Sequence, residues 1–236
     1  MRFFYACAVV CVAGLQPQSA LGQVGHQPES SPYRDLRFKQ SLTPFGGYLT
    51  GGRASAGVGP SDGPLAGLRW DVNVAAPIWL FLEAAWSGLE RNLIDPNEAP
   101  EDRIIGTAKQ NVFLLGGGFN LVFTGRKTWR GLAPYLGAEM GLAIGGVVPE
   151  DSSGFSFNTR FQVGPMIGLK IHPSQKVHFR LEVRDVLWRL SYPDRFFQDP
   201  INAPGTPPVL DPLVKTDSEW AHHVTYFFGI GITLRR

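Results

Sequence analysis

The end of the chain alternates strictly between large apolar side chains and residues that are mostly small or hydroxylated. The large side chains that share one side of this run are Val224, Tyr226, Phe228, Ile230, Ile232 and Leu234. A period of two predicts a β-strand with two unlike faces. An unbroken apolar band on one face suits a closed barrel that meets lipid outside and is narrow inside.

The same alternation occurs in seven earlier stretches, separated by turn residues. The eight predicted strands lie at about 42–51, 67–75, 78–89, 109–123, 133–144, 155–171, 176–184 and 224–234. The stretch from Lys176 to Arg184 shows the pattern clearly, since Val177 and Phe179 alternate with His178 and Arg180. No stretch reads as a long amphipathic helix, and nothing predicts a second domain.

The connections between these strands alternate in length. The connections after the second, fourth and sixth strands are short, at 76–77, 124–131 and 172–175. The others are longer and rich in Gly, Pro and Asp, and the longest is Ser191 to Glu219, where Phe196 and Phe197 are expected to be exposed. Short turns at one end and long loops at the other are typical of outer-membrane barrels. The predicted fold is an all-β, eight-stranded, antiparallel, up-and-down transmembrane β-barrel.

The period of two alone does not decide which face points into the barrel, because a soluble lipocalin-like barrel has the same alternation with its apolar residues inward. Clustered glycines on the small face favour a narrow lumen and lipid outside. Aromatic residues toward the strand ends favour the same reading, because aromatic girdles lie at membrane interfaces. These aromatic residues are Tyr48, Trp70, Trp79, Trp86, Trp188, Trp220 and Tyr226.

Two positions predict irregular strands. Pro165 lies in the middle of the sixth strand and removes a ladder donor, so a local bulge is expected there. The seventh strand loses its alternation of polar and apolar residues after Arg184, at 185–188, which again indicates a bulge or the approach to a loop.

Composition and the chain start define the domain organisation. The 236 residues carry a net charge of +2, which is too balanced for a nucleic-acid binder. Residues 1–22 form a predicted secretory signal peptide, with a basic start, an apolar run and the small-residue site Ala20-Leu21-Gly22. Both cysteines, Cys7 and Cys11, lie within it, so no disulfide framework is expected. Residues 23–40 are a predicted flexible segment, and 41–236 the barrel.

Charged residues on the predicted inward faces form the main candidate constellation. They are Arg69, Asp71, Glu83, Glu139, Arg160, Lys170, Arg180, Glu182 and Arg184. A lumen of eight strands holds side chains and little else. Charges confined there must pair, because an unpaired buried charge is very costly. An ion-pair core is favoured over a proton or ion path.

Other candidate chemistry is weak, and no catalytic residue, metal or cofactor is predicted. His222 and His223 are adjacent on a strand and point to opposite faces, so they would not chelate one ion. The run His172-Pro173-Ser174 resembles the His-x-Ser of lipid A deacylases but lies in a predicted turn. Gly116-Gly117-Gly118 has no following helix to bind phosphate. The acids of the longest loop lack the spacing of a Ca²⁺ site.

Short glycine-rich motifs resemble a known family. The segments 42–48 and 64–69 are similar to the opening hairpin of small outer-membrane β-barrel proteins of the OmpA/OmpX-like superfamily. The segment 133–138 resembles the fifth strand of that superfamily, and 180–185 its charged seventh strand. The resemblance covers the mature chain and implies an eight-stranded up-and-down barrel. The ending Leu234-Arg235-Arg236 departs from the terminal aromatic residue expected there.

Together these features predict a non-enzymatic integral protein of the outer membrane of a Gram-negative-type bacterium, with a structural or surface-contact role. The expected partners are outer-membrane lipid, the assembly machinery through the C-terminal strand, and an extracellular partner at loop 191–219. The alternatives are a lipid-modifying enzyme on the same barrel and a soluble lipocalin-like barrel that binds an apolar ligand.

Overall fold

The computed structural model describes residues 31–213 and 216–234, so the predicted signal peptide lies outside the described residues. The ten strands are β1 (Tyr33–Asp35), β2 (Gln40–Gly51), β3 (Gly63–Ala75), β4 (Ile78–Ile94), β5 (Ile104–Val122), β6 (Lys127–Trp129), β7 (Leu132–Gly145), β8 (Thr159–Ile171), β9 (Val177–Ser191) and β10 (Ser218–Leu234). A 3₁₀ helix spans Asp194–Phe197. Among the described residues, no helix is long and apolar enough to cross a membrane.

Eight long strands close into a ring in which neighbours along the ring are hydrogen-bonded and antiparallel. The order is β2-β3-β4-β5-β7-β8-β9-β10, and β10 pairs with β2 to close it. The remaining strands, β1 and β6, form a short ribbon that joins the ring at the start of β7. The predicted eight-stranded, antiparallel, up-and-down barrel is confirmed.

Alternation along each strand sorts side chains between lumen and exterior. Large apolar residues point outward on every long strand, for example Leu82, which is 58% exposed, and Ile167, which is 63% exposed. On β10 the outward side is the predicted band, exposed from Tyr226 to Leu234 and half-buried at Val224. Such an apolar exterior is that of a transmembrane barrel, because a lipocalin-like barrel turns this face inward.

Not all predicted girdle aromatics lie on the outside. Trp79 and Trp188 are fully buried in the lumen, whereas Trp70, Trp86 and Trp220 are exposed on the exterior. The prediction is therefore wrong for Trp79 and Trp188. Alternate positions along a strand point to opposite faces of the sheet, whatever their distance from the strand end. A position near a strand end therefore does not place an aromatic side chain on the outside.

Glycines on the inner faces make room for large neighbours. A Cβ at Gly231 would lie 2.0 Å from the His178 ring, and a Cβ at Gly168 would lie 2.3 Å from the Tyr135 ring. A side chain does not fit at these inward positions, because the imidazole or phenol of the residue paired with each glycine on the neighbouring strand fills the space. Clustered glycines thus allow a narrow barrel to hold bulky polar side chains.

Neither predicted strand irregularity is a bulge. Val163 pairs with Leu187 and Met166 with Arg184 in one register, so Pro165 interrupts the ladder to β9 without adding a residue. The strand β9 continues without irregularity through 185–188. Register shifts occur instead between Asn73 and Ala75, next to the β3–β4 turn, and between Leu93 and Ile94, the last two residues of β4.

The segment before the barrel is paired and packed from Tyr33 onward, so the prediction of a flexible lead-in over 23–40 is wrong for this part. β1 pairs with β6, and the Leu36 backbone N–H donates to the Arg126 carbonyl at 2.8 Å. Leu36 and Phe38 are buried. Their spacing of two places both on one side of an extended segment, which explains how they enter the lumen.

Loop lengths follow the prediction except at 123–131, which has the same nine residues as 95–103 at the other end. The connections at one end are 76–77, 123–131 (which contains β6) and 172–176. At the other end they are 52–62, 95–103, 146–158 and 192–217. β2 begins and β10 ends at the short-turn end, which we call the lower end, and the long loops form the upper end.

A charge on the outer band of β10 is expected to destabilise the barrel in lipid. Ile230→Arg would place a guanidinium among exposed apolar neighbours and cost about 2–4 kcal/mol if it lies near the bilayer midplane. The measurement is urea unfolding in lipid vesicles, read by heat-modifiable migration in electrophoresis. The matched control is Thr225→Ala on the inner face, which is expected to change stability far less; equal effects would contradict the assigned faces.

Candidate functional site in the barrel lumen

In the part of the chain that the structure describes, side chains fill the lumen in three layers. A lower apolar layer consists of Leu36, Phe38, Trp79, Val122, Ala133 and Tyr135. An ion-pair layer of buried charged residues follows above it. An upper apolar layer contains Phe45, Leu89, Leu114, Phe157, Trp188 and Phe227, among others.

Asp71 anchors the lower part of the ion-pair layer. The Arg180 Nη2 donates to both Asp71 carboxylate oxygens, at 2.7 and 2.6 Å. The Lys170 Nζ lies 3.4 Å from Asp71 Oδ1, and the Arg69 Nε lies 3.6 Å from it. Three cations thus surround one carboxylate, and another anion is needed to balance them.

Glu182 is that anion. Its carboxylate lies 3.1 Å from Arg69 Nη1 and 3.5 Å from Arg180 Nη1, and it also accepts a hydrogen bond from the Tyr135 hydroxyl at 2.5 Å. The Arg69 guanidinium lies over the Phe81 ring, 3.4 Å from its centroid. Aromatic faces attract cations, so the apolar wall also contributes to holding this charge.

Arg184 organises the upper part of the layer. It lies 2.8 Å from Glu83, 2.7 Å from Glu139 and 2.8 Å from Glu182. Arg180, Glu182 and Arg184 alternate along β9, so all three point inward. The strand β9 therefore links the upper and lower carboxylates through one row of side chains.

The layer contains equal numbers of basic and acidic side chains. The cations Arg69, Lys170, Arg180 and Arg184 match the anions Asp71, Glu83, Glu139 and Glu182, and all are buried. Five strands contribute them: β3, β4, β7, β8 and β9. Removal of charges from water costs several kcal/mol per ion, and the cost is offset only when each charge is well paired. The network therefore joins distant strands across the lumen.

Arg160 does not belong to this layer. It is half-buried near the upper end of β8, where its Nε donates to the Phe157 carbonyl and its Nη1 to the Ser191 hydroxyl. Its side chain is on the inward face of β8, but it lies two residues above Gln162 and four residues above Gly164 along the strand. Its predicted place among the lumen charges is wrong because parity fixes the face and not the height.

The upper apolar layer was missed by sequence reasoning. Above Arg184, β9 turns Val186, Trp188 and Leu190 inward, while Arg189 points outward. The same alternate positions of β9 still point inward, but the inward residues are now apolar and the outward residue Arg189 is charged. The run 185–188, interpreted from sequence as a bulge or the approach to a loop, is where the inward residues change from charged to apolar, and it could have revealed the layer.

One further buried ion pair closes the upper end. Arg91 Nη2 on β4 lies 2.6 Å from Asp151 in the loop 146–158, and both side chains are buried. The Arg91 guanidinium also lies 5.2 Å from the Phe155 ring centroid. This pair ties the loop down over the upper apolar layer.

Two histidines pack against the lower layer. The His172 ring lies 5.0 Å from the His178 ring and 5.8 Å from the Phe38 ring. Burial, with the nearby Lys170 charge, lowers the pKa of His172 to about 3. Ser174 accepts hydrogen bonds from the backbone N–H groups of Lys176 and Val177 at 3.2 Å. The His172-Pro173-Ser174 run is therefore packing and turn structure, without a nucleophile beside a base.

The adjacent histidines of β10 point to opposite faces. His222 is exposed, with its Nδ1 2.8 Å from Asp185 Oδ2. His223 is buried, with its Nε2 2.9 Å from the Pro60 carbonyl oxygen and its ring centroid 4.2 Å from that of Trp188 at a tilted angle. They cannot share one ion. Within the described ranges, no group of three His, Cys, Asp or Glu side chains is placed to hold a metal.

Loss of Glu182 is expected to weaken the ion-pair layer strongly. Glu182→Ala leaves Arg69, Arg180 and Arg184 with too few anions, and breaking a buried pair costs about 3–5 kcal/mol. The measurement is the free energy of unfolding in detergent or lipid. The exposed acid Asp199 offers the control Asp199→Ala, with the same loss of charge and an expected change near zero. A Glu182→Ala variant as stable as the parent would contradict the paired network.

Comparisons with known proteins give structural likenesses only. No protein-family model matches the sequence, and no curated protein matches it. Solved structures with a similar chain path include Neisserial surface protein A (NspA), at 12% identity and a TM-score of 0.49 over 86% of this chain and 98% of that one. The outer membrane protein OprG from Pseudomonas aeruginosa, also 12% identical, has a TM-score of 0.48 over 88% and 100%. Ail, the attachment invasion locus protein of Yersinia pestis, is 12% identical, with a TM-score of 0.37 over 84% and 99%.

Proposed function

We propose that the chain is a non-enzymatic integral outer-membrane protein whose barrel carries structured surface loops, with a structural or contact role in the cell envelope. The observation that carries the proposal is the combination of an apolar exterior on all eight ring strands with a lumen in which acidic and basic side chains are paired. A barrel with these two surfaces is stable with lipid around it and needs no ligand inside it.

The two ends of the barrel suit different compartments. The short turns and the ends of β2 and β10 lie together at the lower end, as expected for the periplasmic side of such barrels. The long loops at the upper end would then face the cell exterior. In this orientation the C-terminal strand β10 would end on the periplasmic side, where assembly machinery can reach it. Outer-membrane lipid would surround the apolar exterior of the ring strands.

The upper loops support one another, as a contact surface requires. Arg103 donates to the carbonyls of Pro207 and Pro208, at 2.9 and 3.5 Å. The Asn202 backbone N–H donates to the Asn97 carbonyl at 2.9 Å. The loops 95–103 and 192–217 are therefore docked together, and binding residues concentrate on such fixed loops.

The predicted contact residues of the longest loop need correction. Phe196 is fully buried in the upper apolar layer, and Phe197 packs partly buried against that layer. The 3₁₀ helix turns these rings toward the barrel. Exposed apolar side chains lie elsewhere, with Leu213 93% and Ile201 76% exposed. The loop 192–217 is thus anchored by its aromatic residues Tyr192, Phe196 and Phe197 and presents aliphatic residues to solvent.

An epitope inserted after Pro204 tests location and orientation together. The site lies in an exposed turn, so the barrel is expected to assemble normally and the tag to be detected on intact cells. The tagged protein is also expected to resist carbonate extraction. As a control, the same tag placed after Gly125 in a lower turn should be detected only after the outer membrane is permeabilised. The reverse pattern, or release by carbonate, would contradict the proposal.

A further inference from the structure

The lower end of the barrel carries a strongly basic surface. Its members lie on the segment 33–38 and on the turns 123–131 and 172–176. We call these residues the basic collar: Arg34, Arg37, Arg126, Lys127, Arg130 and Lys176. All six are exposed. Lys39 adds a cation where the chain enters β2, and Asp35 is the only acidic residue on these segments.

The structure brings parts of the collar together from distant sequence positions. In the β1–β6 ribbon, Asp35 is paired with Lys127 and Arg34 with Thr128. The Leu36–Arg126 backbone bond holds Arg37 and Arg126 at one shallow polar depression. Lys127 Nζ is 3.9 Å from Asp35, and both side chains are largely exposed, so this pair neutralises little of the charge.

The charge is unevenly distributed along the barrel axis. In the upper loops, Asp and Glu outnumber Lys and Arg, with acids at 62, 95, 98, 101, 102, 150, 151, 194, 199, 211 and 217. The two ends therefore have opposite signs, although the whole chain has a net charge of only +2. A cationic lower end indicates an anionic partner at that end.

Exposed aromatic residues within the collar identify the partner as lipid. Tyr33 and Trp129 are paired across the ribbon and are 52% and 44% exposed. The Arg130 guanidinium lies 5.4 Å from the Trp129 ring centroid. Phe123, the first residue after β5, is also exposed and continues the apolar belt toward the ribbon. Aromatic rings beside cations at the border of an apolar belt are the chemistry of the headgroup layer.

We propose that the basic collar binds the phosphate groups of anionic lipids in the leaflet that surrounds the lower end. This inference rests on the proposed membrane placement. Arg126, Lys127 and Arg130 would contact the headgroups, while Tyr33 and Trp129 lie at the level where acyl chains meet them. Continuity with the lipid-facing belt favours a lipid over a soluble polyanion, which would not require the exposed aromatic pair.

The test uses the full mature chain refolded into phosphatidylcholine vesicles. Trace spin-labelled phosphatidylglycerol or spin-labelled phosphatidylcholine is added, and electron spin resonance measures the fraction of each label that the protein restricts. The ratio of the two fractions gives the lipid preference. Heat-modifiable migration of the same samples reports whether the barrel has formed.

The parent is expected to prefer phosphatidylglycerol, and added salt is expected to weaken the preference. The variant Arg126→Gln/Lys127→Gln/Arg130→Gln should reduce the preference at least about fivefold, since each basic residue near a charged surface contributes to binding. The control Lys109→Gln/Arg189→Gln/Arg195→Gln removes the same charge near the upper end and should leave the preference within about twofold.

Equal restriction of both labels by the parent, or an unchanged preference in the collar variant, would overturn the inference while leaving the membrane placement intact. A parent that forms no heat-modifiable barrel, or restricts neither label, would instead overturn the membrane placement and this inference with it.

Discussion

The structure depends on the need to pair every charge inside a lumen that is sealed from water on most sides. Arg180 and Asp71 meet at 2.6 Å with both side chains fully buried, and the remaining charges of the layer are arranged around them and Glu182. A soluble protein puts its hydrophobic core where this network lies. Here the apolar surface is on the outside, so the interior must gain cohesion from electrostatics.

The lumen nevertheless does not stay polar along its whole height. Above the ion-pair layer, the inner faces of β9 and β10 carry apolar residues, and the loops add Phe155, Phe196 and Leu210 to the same cluster. This part of the barrel extends past the apolar belt, because its outward residues include Glu90, Lys109 and Arg189. Once water surrounds the strands, burying apolar groups inside again becomes the favourable arrangement.

The barrel was predictable from sequence because its main cause is local: alternation decides the face of each side chain. Strand number, the outer band of β10 and the inward direction of the charged side chains on the ring strands follow from it. The burial of Trp79 and Trp188 follows from the same alternation, although their position near strand ends suggested an outer girdle. The position of Arg160 did not follow, because height in the barrel depends on register. The packing of Leu36 and Phe38 depends on contacts with β6 and the lower layer. These contacts are between residues far apart in sequence, so the sequence of 23–40 alone does not predict them.

The most direct test of the packed lumen is electrical. Eight strands leave no aqueous channel when their interior is filled with side chains. Purified barrel inserted in a planar bilayer is therefore predicted to show no steady conductance, even at high salt and after prolonged recording. Large and stable single-channel steps from the unmutated protein would contradict the account, because they would require a continuous water path through both apolar layers and the ion pairs between them.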